Sequence, residues 1–204
     1  MDPRKEHGDE IRWLGKYLLG NRDKGVIMKP TVGSGIEVYL DAEFAGNWDP
    51  DDTSSRDTAR SRHGYVIKYE GCPIVWKSQL QTEIALSSTE SEYTGISYAL
   101  REEIPLMNLM KEMKENGFPI NELAGTVKCK VFEDNSGAIE MAKVHKYRPR
   151  TKRLNVKLHH FRDYVSRGEI EIKKIGTENQ LADLLTKGLN VVLTVRHRKN
   201  IMGW

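Results

Sequence analysis

The chain has 204 residues, 38% of them hydrophobic and 30% charged, with a formal net charge of +3. That length accommodates one domain of roughly 130–170 residues plus extensions. It contains no run of about 18 apolar residues, which excludes a membrane-spanning helix, and the leading MDPRKEHGDE has no apolar segment of the kind a secretory signal needs. Cys72 and Cys129 stand far apart with no CxxC, which argues against a zinc site or a disulfide framework and for an intracellular, reducing compartment.

In chain order, residues 10–19 carry Ile11, Leu14 and Leu18 at helical spacing. Gly20-Asn21 ends this helix, and Pro30 with Gly33-Ser34-Gly35 reads as a linker, so residues 1–35 form an amino-terminal helix and linker. Ile36, Val38 and Leu40 alternate with Glu37, Tyr39 and Asp41 in a first strand. A polar loop over 45–62 leads to a second strand, 64–70, a turn at Gly71-Cys72-Pro73 and a third strand from Ile74. These three read as an antiparallel meander.

Ser87-Ser88-Thr89-Glu90 is a capping box with Ser87 at the N-cap and Glu90 at N3. It opens a helix to about Glu102, which Pro105 breaks or kinks before a second segment that Asn116-Gly117 closes. Residues 127–132 are a buried strand running into Glu133-Asp134, then an Asn-Ser-Gly turn and a helix over 138–144. Residues 155–167 are a helix and 169–175 a strand. Thr177 to Gln180 is a second capping box opening a helix with Leu181, Leu184 and Leu185, and 189–203 form a last helix or tail. Three antiparallel strands followed by α/β crossovers predict a mixed sheet flanked by helices, with 36–188 as the main domain and 189–204 as its carboxyl-terminal extension.

The charge is unevenly placed. Lys143 to Arg162 holds eight basic residues and no acid, whereas Glu37 to Asp57 is acid-rich. A basic lobe apart from acidic strand ends suits a polyanion held against bound cations, and a solvated loop and helix face gives the same pattern. Two-metal phosphodiester hydrolysis needs several carboxylates converging on two hard cations. The acids placed to converge are Asp41 on the first strand, Glu92 beyond the occupied Glu90, Asp134 at the end of the fourth strand and Asp183 in the second turn of the later helix. Each also has a bland reading: Asp41 a turn former, Asp134 a helix cap, Glu92 and Asp183 solvated helix positions. Strand alternation turns Glu133 away from Asp134 and leaves it a bystander on the other face, with Asn135-Ser136-Gly137 forming the turn and capping the next helix if Asp134 does not.

Asp41 in VYLDAEFAG, Glu92 in LSSTESEY, Asp134 in VFEDNSGAI and Asp183 in NQLADLLTK resemble the Asp-Glu-Asp-Asp tetrad of the ribonuclease H fold. The surrounding words, CPIVWKSQLQTEIALSSTESEYTGISYALREEIPL, EDNSGAIEMAK, HKYRPRTKRLNVKLHHFRDYV and ENQLADLLTKGL, are similar to the ribonuclease H region of copia-type LTR retrotransposon Pol polyproteins, collinearly from about Ile11 to Trp204. The resemblance implies a ribonuclease H-like five-stranded α/β sheet and hydrolysis of the RNA strand of RNA–DNA hybrids during reverse transcription. It implies that Asp41, Glu92, Asp134 and Asp183 hold two Mg²⁺ ions, with Mn²⁺ as a substitute. One ion would activate the attacking water and the other stabilise the leaving 3′ oxygen. Phosphates would lie on Lys143, Lys146, Arg148, Arg150, Lys152, Arg153 and Lys157.

The resemblance also makes residues 1–29 the tail of the connection to a reverse transcriptase domain, the implied partner in the full polyprotein, and the chain a carboxyl-terminal piece of Pol acting in a cytoplasmic particle or nucleus. No membrane or small-molecule substrate is implied. Three departures stand out: Asp41-Ala42-Glu43-Phe44 stands where the family usually has DADFAG or DADWAG, with the first Asp kept; Gly188 replaces the Pro that mostly follows LTK; and Ile175 to Ala182 contains none of the His that cellular relatives often carry there. His159 and His160 are read as packing or phosphate contacts. The competing expectation is a non-catalytic remnant that keeps the fold and binds nucleic acid.

Overall fold

A computed structural model describes residues 5–52, 54–120, 127–143 and 159–204. Helix α1 (Lys5–Asn21) precedes strand β1 (Ile36–Glu43), whose inward Ile36, Val38 and Leu40 are completely buried. Strands β2 (Arg62–Tyr69) and β3 (Cys72–Leu80) complete the meander. The hairpin between them turns on Glu70 and Gly71, both left-handed (φ 49° and 78°), one residue earlier than the Gly-Cys-Pro reading. Two consecutive left-handed residues match the twist of a two-residue hairpin. The cost at Glu70 is offset because its carboxylate accepts the backbone N–H groups of Ser34 (3.0 Å) and Gly35 (3.2 Å).

Helix α2 runs unbroken from Ser88 to Glu115, so the expected break at Pro105 does not occur. Pro105 lies on the exposed face, where water can serve the carbonyl that the proline cannot. The helix instead buries Tyr93, Ile96, Leu100, Ile104 and Met107 along one stripe against the sheet. Strand β4 (Cys129–Glu133), helices α3 (Ser136–Lys143) and α4 (His159–Ser166), strand β5 (Ile170–Lys174) and helix α5 (Val191–Met202) follow. Between β5 and α5 stand two short 3-10 turns, Thr177–Asn179 and Leu181–Leu185, in place of the expected capped helix.

The sheet order is β3-β2-β1-β4-β5. β1/β2 and β2/β3 pair antiparallel, and β1/β4 and β4/β5 pair parallel, giving the mixed five-stranded sheet of the ribonuclease H-like class. The core lies between this sheet and α2, α3 and α4, with Phe161 of α4 set edge-on to Tyr93 at 6.2 Å. The second 3-10 turn packs on β1 and β2 and contacts α5. Both cysteines are free thiols. Among the described residues, no helix is long and apolar enough to cross a membrane.

Candidate metal centre

The parallel pairing of β1 with β4 puts their carboxyl ends on one sheet edge, where open α/β sheets carry their chemistry. Their ladder ends at Tyr39↔Phe132. Asp41 and Asp134 each lie two residues beyond that last pair, at the same level on strands that have begun to part. Glu92 reaches the same crevice from the start of α2. Ser87 caps that helix, accepting the Glu90 N–H at 3.1 Å, while the Glu90 carboxylate turns back to the Leu86 N–H at 3.0 Å. This occupies Glu90 one residue further back than a standard capping box and leaves Glu92 directed at the sheet.

Asp41, Glu92 and Asp134 each offer a carboxylate oxygen within 4.8 Å of the others'. Asp41 and Glu92 are buried. Asp134 is not the cap of α3. Asn135 takes that place, its Oδ1 accepting the Ala138 N–H at 3.0 Å, and Asp134 Oδ2 instead accepts the Thr177 hydroxyl at 2.8 Å. Asp183, 2% exposed, faces Asp41 from the second 3-10 turn rather than from the second turn of a helix. Gln180 fixes that turn: its side chain is completely buried and donates to the Phe132 carbonyl at the end of β4 (3.1 Å).

The turn can approach because residue 64, paired opposite Asp41, is glycine. A Cβ there would stand 2.7 Å from Leu185 Cβ. From the same turn the Thr186 hydroxyl donates to Asp41 Oδ2, and Lys187 Nζ lies 3.4 Å from Asp41 Oδ1 and 3.0 Å from Asp183 Oδ1.

Glu133 is no bystander. It is completely buried, and its charge is the strongest carboxylate influence on Glu92. Alternation misassigned the pair because β4 ends at Glu133, the last residue paired with β5, so Asp134 is already outside the pleat. One Glu133 oxygen accepts the Asn135 N–H at 2.9 Å, while Glu133 Oε2 and Glu92 Oε2 are buried without a hydrogen-bond partner among the described residues.

Burial, then the charges of Glu133, Asp41 and Asp134, pushes the Glu92 carboxyl well above the usual carboxylate range. Burial also raises Glu133, and burial followed by the Asp41 charge raises Asp183. Carboxylates that resist ionising beside one another are relieved by a multivalent cation. The all-oxygen donor set and the uncompensated Glu92 oxygen fit a hard divalent ion.

Of the basic positions, Lys143 closes α3 and borders an open cavity with Lys128 and Lys130. Lys146, Arg148, Arg150, Lys152, Arg153 and Lys157 lie outside the described residues. His160 is exposed and set edge-on to Phe161. Glu133, Gln180, Gly64, Thr186 and Lys187 escaped the sequence reading. Lys187 had a usable signal, since it follows Asp183 at the i, i+4 spacing of a helical ion pair.

No protein-family model matches the chain. Over 186 residues, 91% of this chain, it is 31% identical to the retrovirus-related Pol polyprotein from transposon TNT 1-94 of Nicotiana tabacum. It is 28% identical over 188 residues to that from transposon RE1 of Arabidopsis thaliana. The chain spans only 13% and 12% of these relatives. A 103-residue stretch, half of the chain, is 33% identical to secreted RxLR effector protein 161 of Plasmopara viticola and covers 67% of it. Among solved structures, the amino-terminal ribonuclease H domain of Rv2228c from Mycobacterium tuberculosis is similar at 14% identity and a TM-score of 0.49, over 74% of this chain and 90% of that one. The chain's homologues are thus copia-type retrotransposon Pol polyproteins, matched over nearly all of its length, and its sheet has the mixed five-stranded order of the ribonuclease H-like class.

Proposed function

We propose that this chain hydrolyses the RNA strand of RNA–DNA hybrids, with two Mg²⁺ ions held by Asp41, Glu92, Asp134 and Asp183. The observation that carries the reading is the convergence of Asp41, Glu92 and Asp134 oxygens within 4.8 Å at one sheet edge, with Asp183 across Asp41. When bound, the two ions supply an activated water and stabilise the departing 3′ oxygen. The chain's own groups hold the ligands in place: Thr177 orients Asp134, Thr186 orients Asp41, and Gln180 anchors the turn that carries Asp183. Burial of Glu92 and Glu133 keeps bulk water from screening the centre.

The basic stretch beginning at Lys143 binds backbone phosphates, so hybrid binding weakens steeply with salt, and the 2′-hydroxyl distinguishes the strand to be cut. Residues 1–35 belong to a connection with a polymerase domain, 36–188 form the nuclease, and 189–204 are its carboxyl-terminal extension. The test is cleavage of a labelled hybrid in Mg²⁺ by wild type and Asp134→Asn. Cleavage by the wild type and none by the variant is expected. A folded wild type that binds the hybrid and never cuts it, in Mg²⁺ or Mn²⁺, would establish the non-catalytic alternative instead.

A further inference from the structure

The acidic crevice has two unequal halves. On the Glu92 side, Glu92 Oε2 and Glu133 Oε2 are buried with no hydrogen-bond partner among the described residues. On the Asp183 side, a cation is already in place: Lys187 Nζ lies between Asp41 Oδ1 at 3.4 Å and Asp183 Oδ1 at 3.0 Å. Both carboxylates are almost wholly buried, whereas the Lys187 side chain keeps 33% of its surface exposed. Its stem therefore has an open way out to solvent that the carboxylates lack. The contact with Asp183 is an ion pair and not an aligned hydrogen bond, for Asp183 Oδ1 has no hydrogen-bond partner among the described residues. The ammonium donates one long hydrogen bond to Asp41 Oδ1 and meets Asp183 through charge alone, so it balances both carboxylates while fixing little geometry.

On the metal-centre reading above, we propose that Lys187 is a resident counter-cation for Asp41 and Asp183, and that a second divalent ion reaches those two carboxylates only by displacing it. Loading is then ordered. The first ion enters at Asp41, Glu92 and Asp134, where Lys187 touches only Asp41 and, among the described residues, Glu92 and Asp134 pair with no lysine. The second must exchange with Lys187, which swings outward on its flexible stem. Its affinity is set by the difference between a divalent ion and an ammonium at the same carboxylates. Thr186, which donates to the other oxygen of Asp41, keeps that carboxylate oriented through the exchange.

The experiment is a Mn²⁺ titration of the full chain, with free Mn²⁺ followed by electron paramagnetic resonance and melting followed in parallel. Wild type is expected to bind one ion tightly and a second more weakly. Lys187→Met should tighten the weaker site by about tenfold and leave the tight one within about twofold. It should also melt lower than wild type without metal and gain more from Mn²⁺. Lys187→Arg, which keeps the charge, should restore weak second-site binding, and Lys187→Gln serves in place of Lys187→Met if that variant fails to fold. An unchanged or weakened second site in the charge-removing variant overturns the role of Lys187 while leaving the metal centre standing. A folded wild type that binds no Mn²⁺ overturns the metal centre itself, and this proposal with it.

Discussion

Helix α2 buries two glutamates in the same direction and to opposite effect. Glu92 and Glu103 are eleven residues apart, about three turns, so they share one helix face. Each lies near strand β4: Glu92 beside Glu133 at its carboxyl end, Glu103 beside Cys129 at its start. Both are buried, and burial raises both carboxyls, Glu103 to about 7. Neither Glu103 oxygen has an aligned hydrogen bond among the described residues, and its neighbour Cys129 is at best a weak donor. The difference is company. Around Glu92, acids converge from β1 and the end of β4 and make a place for a cation, while no other acid raises Glu103. A raised carboxyl alone therefore does not locate a site; convergence does.

The largest effect expected from breaking this contrast is on catalysis. Asp134→Asn should lower Mg²⁺-dependent hybrid cleavage by on the order of 10³-fold, the scale of losing one preorganised electrostatic partner, whereas Glu103→Gln should leave the cleavage rate within about twofold. The same gel assay measures both.

Next is the approach of the 181–187 turn. Gly64→Val should force Leu185 and Thr186 away from β2, costing about 1–3 kcal/mol as overpacking does. Urea unfolding reads the stability, and Mn²⁺ titration should show weaker binding as Asp183 moves off Asp41.

Glu103 should matter to stability and its pH dependence. Its folded-state value lies above its unfolded one, so its contribution is fully present below about pH 4.5 and is lost as pH rises through about 7. Glu103→Gln should flatten that part of the slope, by a few kcal/mol at most. Urea midpoints of wild type and variant at pH 5 and pH 8 test it; parallel slopes would show that Glu103 carries no such linkage. The smallest effect belongs to the exposed Lys77–Glu102 pair at 3.7 Å, where Lys77→Ala should shift stability by less than about 0.5 kcal/mol in the same unfolding assay.

Much of the frame is legible in residue patterns. The alternation of Ile36, Val38 and Leu40 marks β1, and the Ser87 cap marks the start of α2. Pro105 misleads because local propensity cannot register that the proline faces water while its neighbours bury a continuous stripe. The 177–185 segment has helical spacing, yet its backbone is set by Gln180 reaching Phe132, a contact 48 residues away in sequence. At the centre, strand ends and capped-helix starts mark Asp41, Glu92, Asp134 and Asp183 as acids that could meet; the structure brings the first three within 4.8 Å of one another and sets Asp183 beside Asp41. Glu133 was missed because a period-two rule was carried one residue past the end of its strand. Gly64 was missed because its purpose is the closeness of a turn more than a hundred residues later.

The Glu70 hairpin has a consequence far from where it lies. By gripping Ser34 and Gly35, it fixes where β1 begins its ladder, at Ile36↔Tyr69. Asp41 meets Gly64 five residues on, about 17 Å along the strand. A slip of one place would offer the turn's partner position to Leu40 or Ala42, neither of which carries a charge. The hairpin clasp thus acts as the zero mark of a ruler, and the acidic edge is read off at its far end.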